Sequence, residues 1–240
     1  MDAEEIAKSA ALEHRHWWYA ARRALVRRVV RAWPAGRAVD VGCGMGGNTA
    51  VLRELGWRAV GVEYTDTGAG IAAGRGIPVV RGDGRRLPIA DASVDLVMST
   101  DAWEHIDDDA AVARETARVL RPGGRVLVAV PAGMALWSGH DVALGHVRRY
   151  ERRQLADLVT GAGLVIDDLW SWNVLLRPVV RARRRSRHSA ESEMEEVHPV
   201  LNAGLRAALA VERALPVGRL PGVSLVVVAH RPAHAGAGRR

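Results

Sequence analysis

The sequence predicts a doubly wound α/β fold on a mostly parallel sheet, and three observations carry that prediction. Short apolar runs alternate with helical segments at roughly twenty-residue intervals, the pattern of parallel strands joined by helical crossovers. A glycine-rich loop, Asp40-Val41-Gly42-Cys43-Gly44-Met45-Gly46-Gly47, directly follows the first run. Acidic residues stand at the ends of the next runs, where open α/β sheets gather their ligands.

The elements follow in order. Residues 4–32 read as one helical segment, rich in Ala, Leu, Glu and Arg, with Leu25, Val29 and Ala32 at helical spacing. Inside it lies the aromatic cluster His14-Arg15-His16-Trp17-Trp18-Tyr19, and Pro34-Ala35-Gly36 ends it. Residues 37–41 form the first strand and 49–55 a helix stopped by Gly56. Residues 58–63 form the second strand, followed by a Gly-rich helix, and 77–80 the third, leading to Gly82-Asp83-Gly84. Residues 93–98 form the fourth strand, 107–120 a helix, Pro122-Gly123-Gly124 a turn and 125–130 the fifth strand. A helix over 151–161 precedes the last two strands, 164–170 and 224–230. Between those strands an insertion carries an Arg-dense stretch (177–188), a polar acidic stretch (189–196) and an amphipathic helix (198–215).

This organisation is one domain: an N-terminal helical lid (1–35), a core (36–173), the insertion (174–216), the last strand (217–230) and a frayed tail (231–240). A chain of 240 residues with 48% hydrophobic content fits a single domain of this size. The formal net charge is +7, carried almost wholly by Arg, which favours anionic partners. No Lys/Arg-plus-aromatic nucleic-acid module stands out. The single cysteine, Cys43, rules out an intrachain disulfide and suits a reducing cytoplasm. The acidic N-terminus is unlike a signal peptide, and no apolar run is long enough to span a bilayer.

Glycines in the loop let the backbone turn sharply and approach a ligand with no Cβ in the way, and the following helix presents its N-terminal amides. The loop alone does not choose a cofactor, since Gly42, Gly44 and Gly47 also fit the dinucleotide spacing. The strand ends add to it. Glu63 is placed to accept ribose hydroxyl hydrogens, Asp83 with Gly84 to meet the exocyclic amine of adenine, and Thr100-Asp101 to line the remaining part.

Four stretches then resemble one family: Gly82-Asp83-Gly84-Arg85-Arg86-Leu87-Pro88, Ser93-Val94-Asp95-Leu96-Val97, Trp103-Glu104-His105-Ile106 and Arg118-Val119-Leu120-Arg121-Pro122-Gly123-Gly124. With the glycine loop they are similar to class I S-adenosylmethionine (SAM)-dependent methyltransferases, the small-molecule enzymes of ubiquinone/menaquinone-biosynthesis type. That resemblance implies a Rossmann-like, seven-stranded sheet with a reversed last strand, SAM as cofactor and methyl transfer by in-line displacement. It implies Asp40, Gly42 and Gly44 on the methionine side, Glu63 at the ribose and Asp83 and Gly84 at the adenine. Trp103 departs from the family's smaller aliphatic residue, which bears on the shape of the acceptor pocket. The aromatic cluster at 16–19, the text from Leu136 to Tyr150 and Leu220-Pro221-Gly222-Val223-Ser224-Leu225 extend the likeness to a bacterial subgroup.

SAM carries an activated methyl group, so the protein must align an acceptor and, where needed, take its proton. Candidates lie after the fourth and fifth strands: His105, His140 with Asp141, and His146, each equally readable as a cap or packing residue. Arg148 and Arg149 are placed to hold a carboxylate or phosphate, or else to pin the loop together with Tyr150. Trp17, Tyr19 and Trp103 are expected against the acceptor, with the aromatic cluster in a lid or in helix-to-sheet packing. Arg22 and Arg23 read as solvated, as does the Arg-rich run from 177 to 187, and Cys43 as a small packed side chain. No metal is expected, although His140, Asp141 and His146 are legitimate ligand types. The expected partner is a small-molecule acceptor, anionic if the arginines serve it, with no nucleic acid. Two other readings stay open: a nicotinamide-dependent oxidoreductase on the same sheet, and a non-catalytic SAM-binding partner protein.

Overall fold

The computed structural model describes residues 3–186 and 197–233. The polar stretch at 189–196 and the tail from 234 onward lie outside the described residues. The sheet has seven strands: β1 (Arg37–Val41), β2 (Arg58–Glu63), β3 (Val79–Arg81), β4 (Val94–Thr100), β5 (Leu120–Pro131), β6 (Val165–Trp172) and β7 (Ser224–His230). Their order is β3-β2-β1-β4-β5-β7-β6, and β7 alone runs antiparallel to its neighbours. Strand order reverses between β1 and β4, so a crevice opens at their carboxyl ends.

Alternation along the strands serves two cores, because successive side chains of a strand face opposite sides of the sheet. Val39, Val41 and Val97 pack on one face with Val112 of α5 (Asp109–Val119) and Leu155 of α7 (Arg152–Gly161). Ala38, Leu96 and Met98 pack on the other with α2 (Trp17–Val30), α3 (Gly47–Glu54) and α9 (Pro199–Glu212), through Leu25, Val26, Leu52 and Leu209. The apolar stretches at 126–130 of β5 and 225–229 of β7 are buried, as their near-continuous Val and Leu runs require.

The N-terminal segment corrects the expectation of one helix. It is two, α1 (Ala3–Leu12) and α2, separated at residues 13–16. The break has a local cause: the His16 ring nitrogen accepts a hydrogen bond from Trp18 N, so His16 caps α2. α1 then packs on α4 (Asp66–Gly74), where Glu13 meets Arg75. The turn expected at Pro122-Gly123-Gly124 is absorbed into β5, with a register irregularity opposite Val94 and Leu96. The Arg-dense stretch, expected to be solvated, forms helix α8 (Arg177–Ser186) over its described part. A short helix, α6 (Gly139–Ala143), lies in the long connection after β5.

Candidate active site

The site begins where β1 runs into the glycine loop. Gly42, Gly44 and Gly46 have φ of 71°, 54° and 82°, a left-handed region that disfavours other residues. A Cβ on Gly42 would stand 2.4 Å from that of Ala102, so the two loops at the switch point touch backbone to side chain. Glu63, ending β2, stitches the neighbouring loop. Its Oε2 accepts from Gly44 N at 2.9 Å, and its Oε1 accepts from Thr65 N at 2.9 Å and Thr65 Oγ1 at 2.7 Å. Thr100 Oγ1 accepts from Asn48 Nδ2 at 2.8 Å. Asp83 is chelated by Arg85, which holds its carboxyl below the usual range. Beside it, Gly84 leaves room against Val41 and Ile106.

A cavity of about 870 Å³ opens over these strand ends. Gly42, Gly44, Glu63, Asp83, Gly84 and Thr100 line one part. Trp17, Tyr19, His105, His140, His146 and Arg149 line the same space. Six of the seven expected cofactor residues and six of the nine expected acceptor-side residues thus share one enclosure.

Four expected site residues sit elsewhere. Asp40 is buried behind the loop, where its Oδ2 accepts from Thr49 Oγ1 at 2.6 Å. Burial, reinforced by nearby Glu63, pushes its carboxyl up to about 7. Trp103 is fully buried in the sheet core, which explains a large residue where the family has a small one: it fills core, not pocket. Tyr150 is also core, its hydroxyl donating to Asp109 Oδ2 at 2.9 Å. Asp141 lies wholly buried beneath the cavity wall.

Asp141 also corrects the expected His140–Asp141 pair. Its partners are His146 Nδ1 at 2.9 Å, Arg149 Nη1 at 2.6 Å and Arg184 Nη1 at 3.4 Å, and it caps α6 through Ser138 N. Burial alone would raise its carboxyl, but His146, Arg149 and Arg184 hold it well below the usual range. Arg149 is likewise spent. Its Nε donates to Ala132 O, Nη1 to Asp141 and Nη2 to Val223 O. Arg148 is engaged by Asp109 and by Asp107 O. The expected anion clamp at 148–149 is therefore a fastening of the loop. His140 is pushed down to about 3 by burial and by the charge of Arg184, and His105 to about 4 by burial and neighbouring His146.

Several cavity residues escaped the sequence reading. Arg22, expected to be solvated, is 1% exposed. Its Nη2 donates to Asp101 Oδ1 at 2.7 Å, and its guanidinium lies 4.5 Å from the Trp172 ring centre and 5.0 Å from that of Trp18. The signal available was Trp18 and Arg22 four apart on one helix face. Glu104 is buried, and neither oxygen has a hydrogen-bond partner among the described residues. Burial first, then Asp101, raises its carboxyl well above the usual value. Asn173 is fully buried at φ 62°, and its amide atoms have no partner among the described residues. α8 adds Val179, Arg183 and Arg184 to the cavity wall, and Asn202 of α9 accepts from Trp17 N at 2.7 Å. Cys43 is buried, and burial followed by the Asp40 and Glu63 charges pushes its thiol far up, so it packs and does not react.

The fold and the strand-end site define a cofactor-binding α/β domain of the class I type. Residues 39–128 match the family described as a methyltransferase domain, and this segment is a class I SAM-dependent methyltransferase domain. The nicotinamide alternative is thereby set aside. The chain is 28% identical over 161 residues to a Mycolicibacterium smegmatis protein named a probable S-adenosylmethionine-dependent methyltransferase, spanning 65% of this chain and 63% of that one. The match thus covers less than two thirds of that relative. The fold is similar to a methyltransferase candidate solved with the Trm112 activator of Haloferax volcanii, at TM-score 0.66 and 21% identity, covering 96% of each chain. It is also similar to phosphoethanolamine N-methyltransferase 2 of Haemonchus contortus in complex with SAM, at TM-score 0.61 and 19% identity, covering 87% of this chain and 51% of that one. Among the described residues no helix is long and apolar enough to cross a membrane.

Proposed function

We propose that this chain methylates a small-molecule acceptor held in the same cavity as SAM. The observation that carries this reading is the single enclosure of about 870 Å³, which joins the glycine loop and strand-end acids to a second set of aromatic, histidine and arginine side chains. The chain's residues fit the cofactor: the Gly42 and Gly44 backbone leaves a cradle that a Cβ would strain or fill, and Glu63 and Asp83 offer acceptors where the sugar and base belong. Bound there, SAM supplies a methyl group already activated on a sulfonium.

The chain's own part is to align the acceptor, exclude water and receive a proton where the acceptor has one to lose. Trp17 and Tyr19 of α2, with α8 and α9, close one wall of the cavity as a lid. Arg22, Arg85 and Arg184 reach the same cavity with Asp101, Asp83 and Asp141 as partners, so an acceptor anion there would share positive charge already held in place. His140 is the base we favour from the set His105, His140 and His146. Burial first and the Arg184 charge second lower its basicity, so an acceptor anion beside Arg184 would relieve the second of these. A reducing, cytoplasmic setting suits the single buried thiol.

Calorimetry with SAM and its demethylated product tests the cofactor half. Absence of binding at millimolar ligand would sink the proposal. Methyl-labelled SAM, offered with fractionated small-molecule extracts, tests the acceptor half: label is expected in small, anionic products. Label appearing only in RNA, DNA or protein would refute the acceptor class.

A further inference from the structure

We propose that Glu104, His105 and His146 form a binding site for a first-row divalent cation, zinc foremost, on the wall of the cavity. Each residue offers one ligand atom, and no two of these atoms are more than 4.8 Å apart. Glu104 Oε1 and His146 Nε2 stand 3.9 Å apart. Two imidazoles and one carboxylate are a zinc set that leaves the fourth position open. Bonds of about 2.0–2.2 Å put tetrahedral ligand atoms roughly 3.3–3.5 Å apart, so side-chain rotations of about 1 Å close the set.

The backbone builds this cluster from two distant segments. A single 3-10 turn, Trp103–His105, presents Glu104 and His105 side by side after β4. Val147 N donates to Glu104 O at 2.8 Å, which brings His146 against that turn. Both rings are then oriented. His146 Nδ1 faces Asp141 Oδ1 at 2.9 Å, and His105 Nδ1 faces Gly145 O at 3.2 Å. Both partners only accept, so each Nδ1 carries the proton and each Nε2 keeps its lone pair. Metal-bound histidines are held in this way, by a carboxylate or a backbone carbonyl on the far nitrogen.

Glu104 is the second, independent observation. It is 1% exposed, lines the cavity, and neither oxygen has a hydrogen-bond partner among the described residues. As a carboxylate it is a buried charge without a hydrogen bond, eased only at a distance by Arg22 and Arg149. As an acid it is a buried O–H without an acceptor. Either state is costly, and a cation bound at Oε1 removes the cost. A purely structural role for the cluster explains the two fastened Nδ1 atoms but leaves Glu104 unaccounted for. All three residues line the cavity, so the open position faces the acceptor space. The consequence, an acceptor oxygen or nitrogen as fourth ligand with His140 left as base, rests on the methyltransferase reading; the metal site itself does not.

The test uses the untagged full chain, stripped with chelator and titrated with ZnCl2 and CoCl2. One zinc per chain is expected, and the cobalt form should show the intense visible absorption of a tetrahedral site. Glu104→Gln and His105→Ala, confirmed folded by circular dichroism, should each weaken zinc at least tenfold. Asp141→Asn should weaken it about tenfold by loosening His146. His230→Ala, whose ring pairs with Asp167 at the sheet edge, should bind zinc as the parent does. Zinc that fails to bind stoichiometrically at micromolar concentration, or that stays equally tight in Glu104→Gln and His105→Ala, overturns the proposal. SAM calorimetry on the same metal-free protein separates the two readings. SAM binding without zinc binding removes only the metal site; zinc binding without SAM binding removes only the methyltransferase reading.

Discussion

Gly42→Ala tests the join between the cofactor loop and the loop after β4. The substitution costs about 1–2 kcal/mol for a side chain at φ 71°, because the new Cβ crowds the following carbonyl. It also places that Cβ 2.4 Å from the Cβ of Ala102, where carbon atoms prefer about 3.5–4.0 Å. Overpacking of that kind costs about 1–3 kcal/mol. The sum, roughly 2–5 kcal/mol, should lower Tm by about 5–15 °C in a domain of this size. The steric share belongs to the pair, so Ala102→Gly in the same chain should return it and leave only the backbone share. Thermal melts of the four proteins, read by circular dichroism, give a coupling of about 1–3 kcal/mol, and SAM calorimetry should show affinity recovering in parallel. Coupling below about 0.5 kcal/mol would mean the two sites act independently and would refute the contact.

Other outcomes follow from the same geometry. Glu63→Ala removes a carboxylate that accepts from the backbone amides of Gly44 and Thr65, and should weaken SAM about tenfold to a hundredfold by calorimetry. Asp83→Ala should leave Tm within about 2 °C, since its Arg85 partner is a surface pair, yet still weaken SAM; unchanged affinity removes Asp83 from the site. Asp40 titrates near 7 in the folded protein against 3.8 in its ordinary state, so the native chain holds the extra proton between those values. Its contribution therefore falls as pH rises from about 4 to 7, by a few kcal/mol at most. Asp40→Asn keeps an acceptor for Thr49 and should flatten that part of the Tm–pH profile relative to the parent; parallel profiles would refute the buried, raised carboxyl.

Much of the fold is written locally. Strand ends such as Glu63, and the glycines at 42 and 44, announce themselves because period-two apolar runs and left-handed turns depend on near neighbours alone. What the sequence concealed is what distant segments decide. Arg22 and Arg149 look like solvent residues because nothing beside them reveals Asp101, Asp141 or the carbonyl of Val223. Trp103 looks like a pocket residue because its position follows the fourth strand; its burial depends on the helices that cover the sheet. Glu104 stood in a family-like stretch with no role assigned to it, and only the return of residues 145–147 brings His146 to it. The break before α2 was visible in principle, since His16 sits where a capping side chain would and the aromatic run restarts the helix.

The Arg22 fastening also bears on when the protein becomes competent during its making. Arg22 reaches Asp101 and, at 3.4 Å, Ser224 of the last strand, while stacking on Trp172. A chain leaving the ribosome delivers the glycine loop long before Ser224. Contacts this far apart along the chain close late. This wall of the cavity therefore comes into being only after β7 has slipped between β5 and β6, and a nascent chain that already carries the whole glycine loop still lacks the chamber above it.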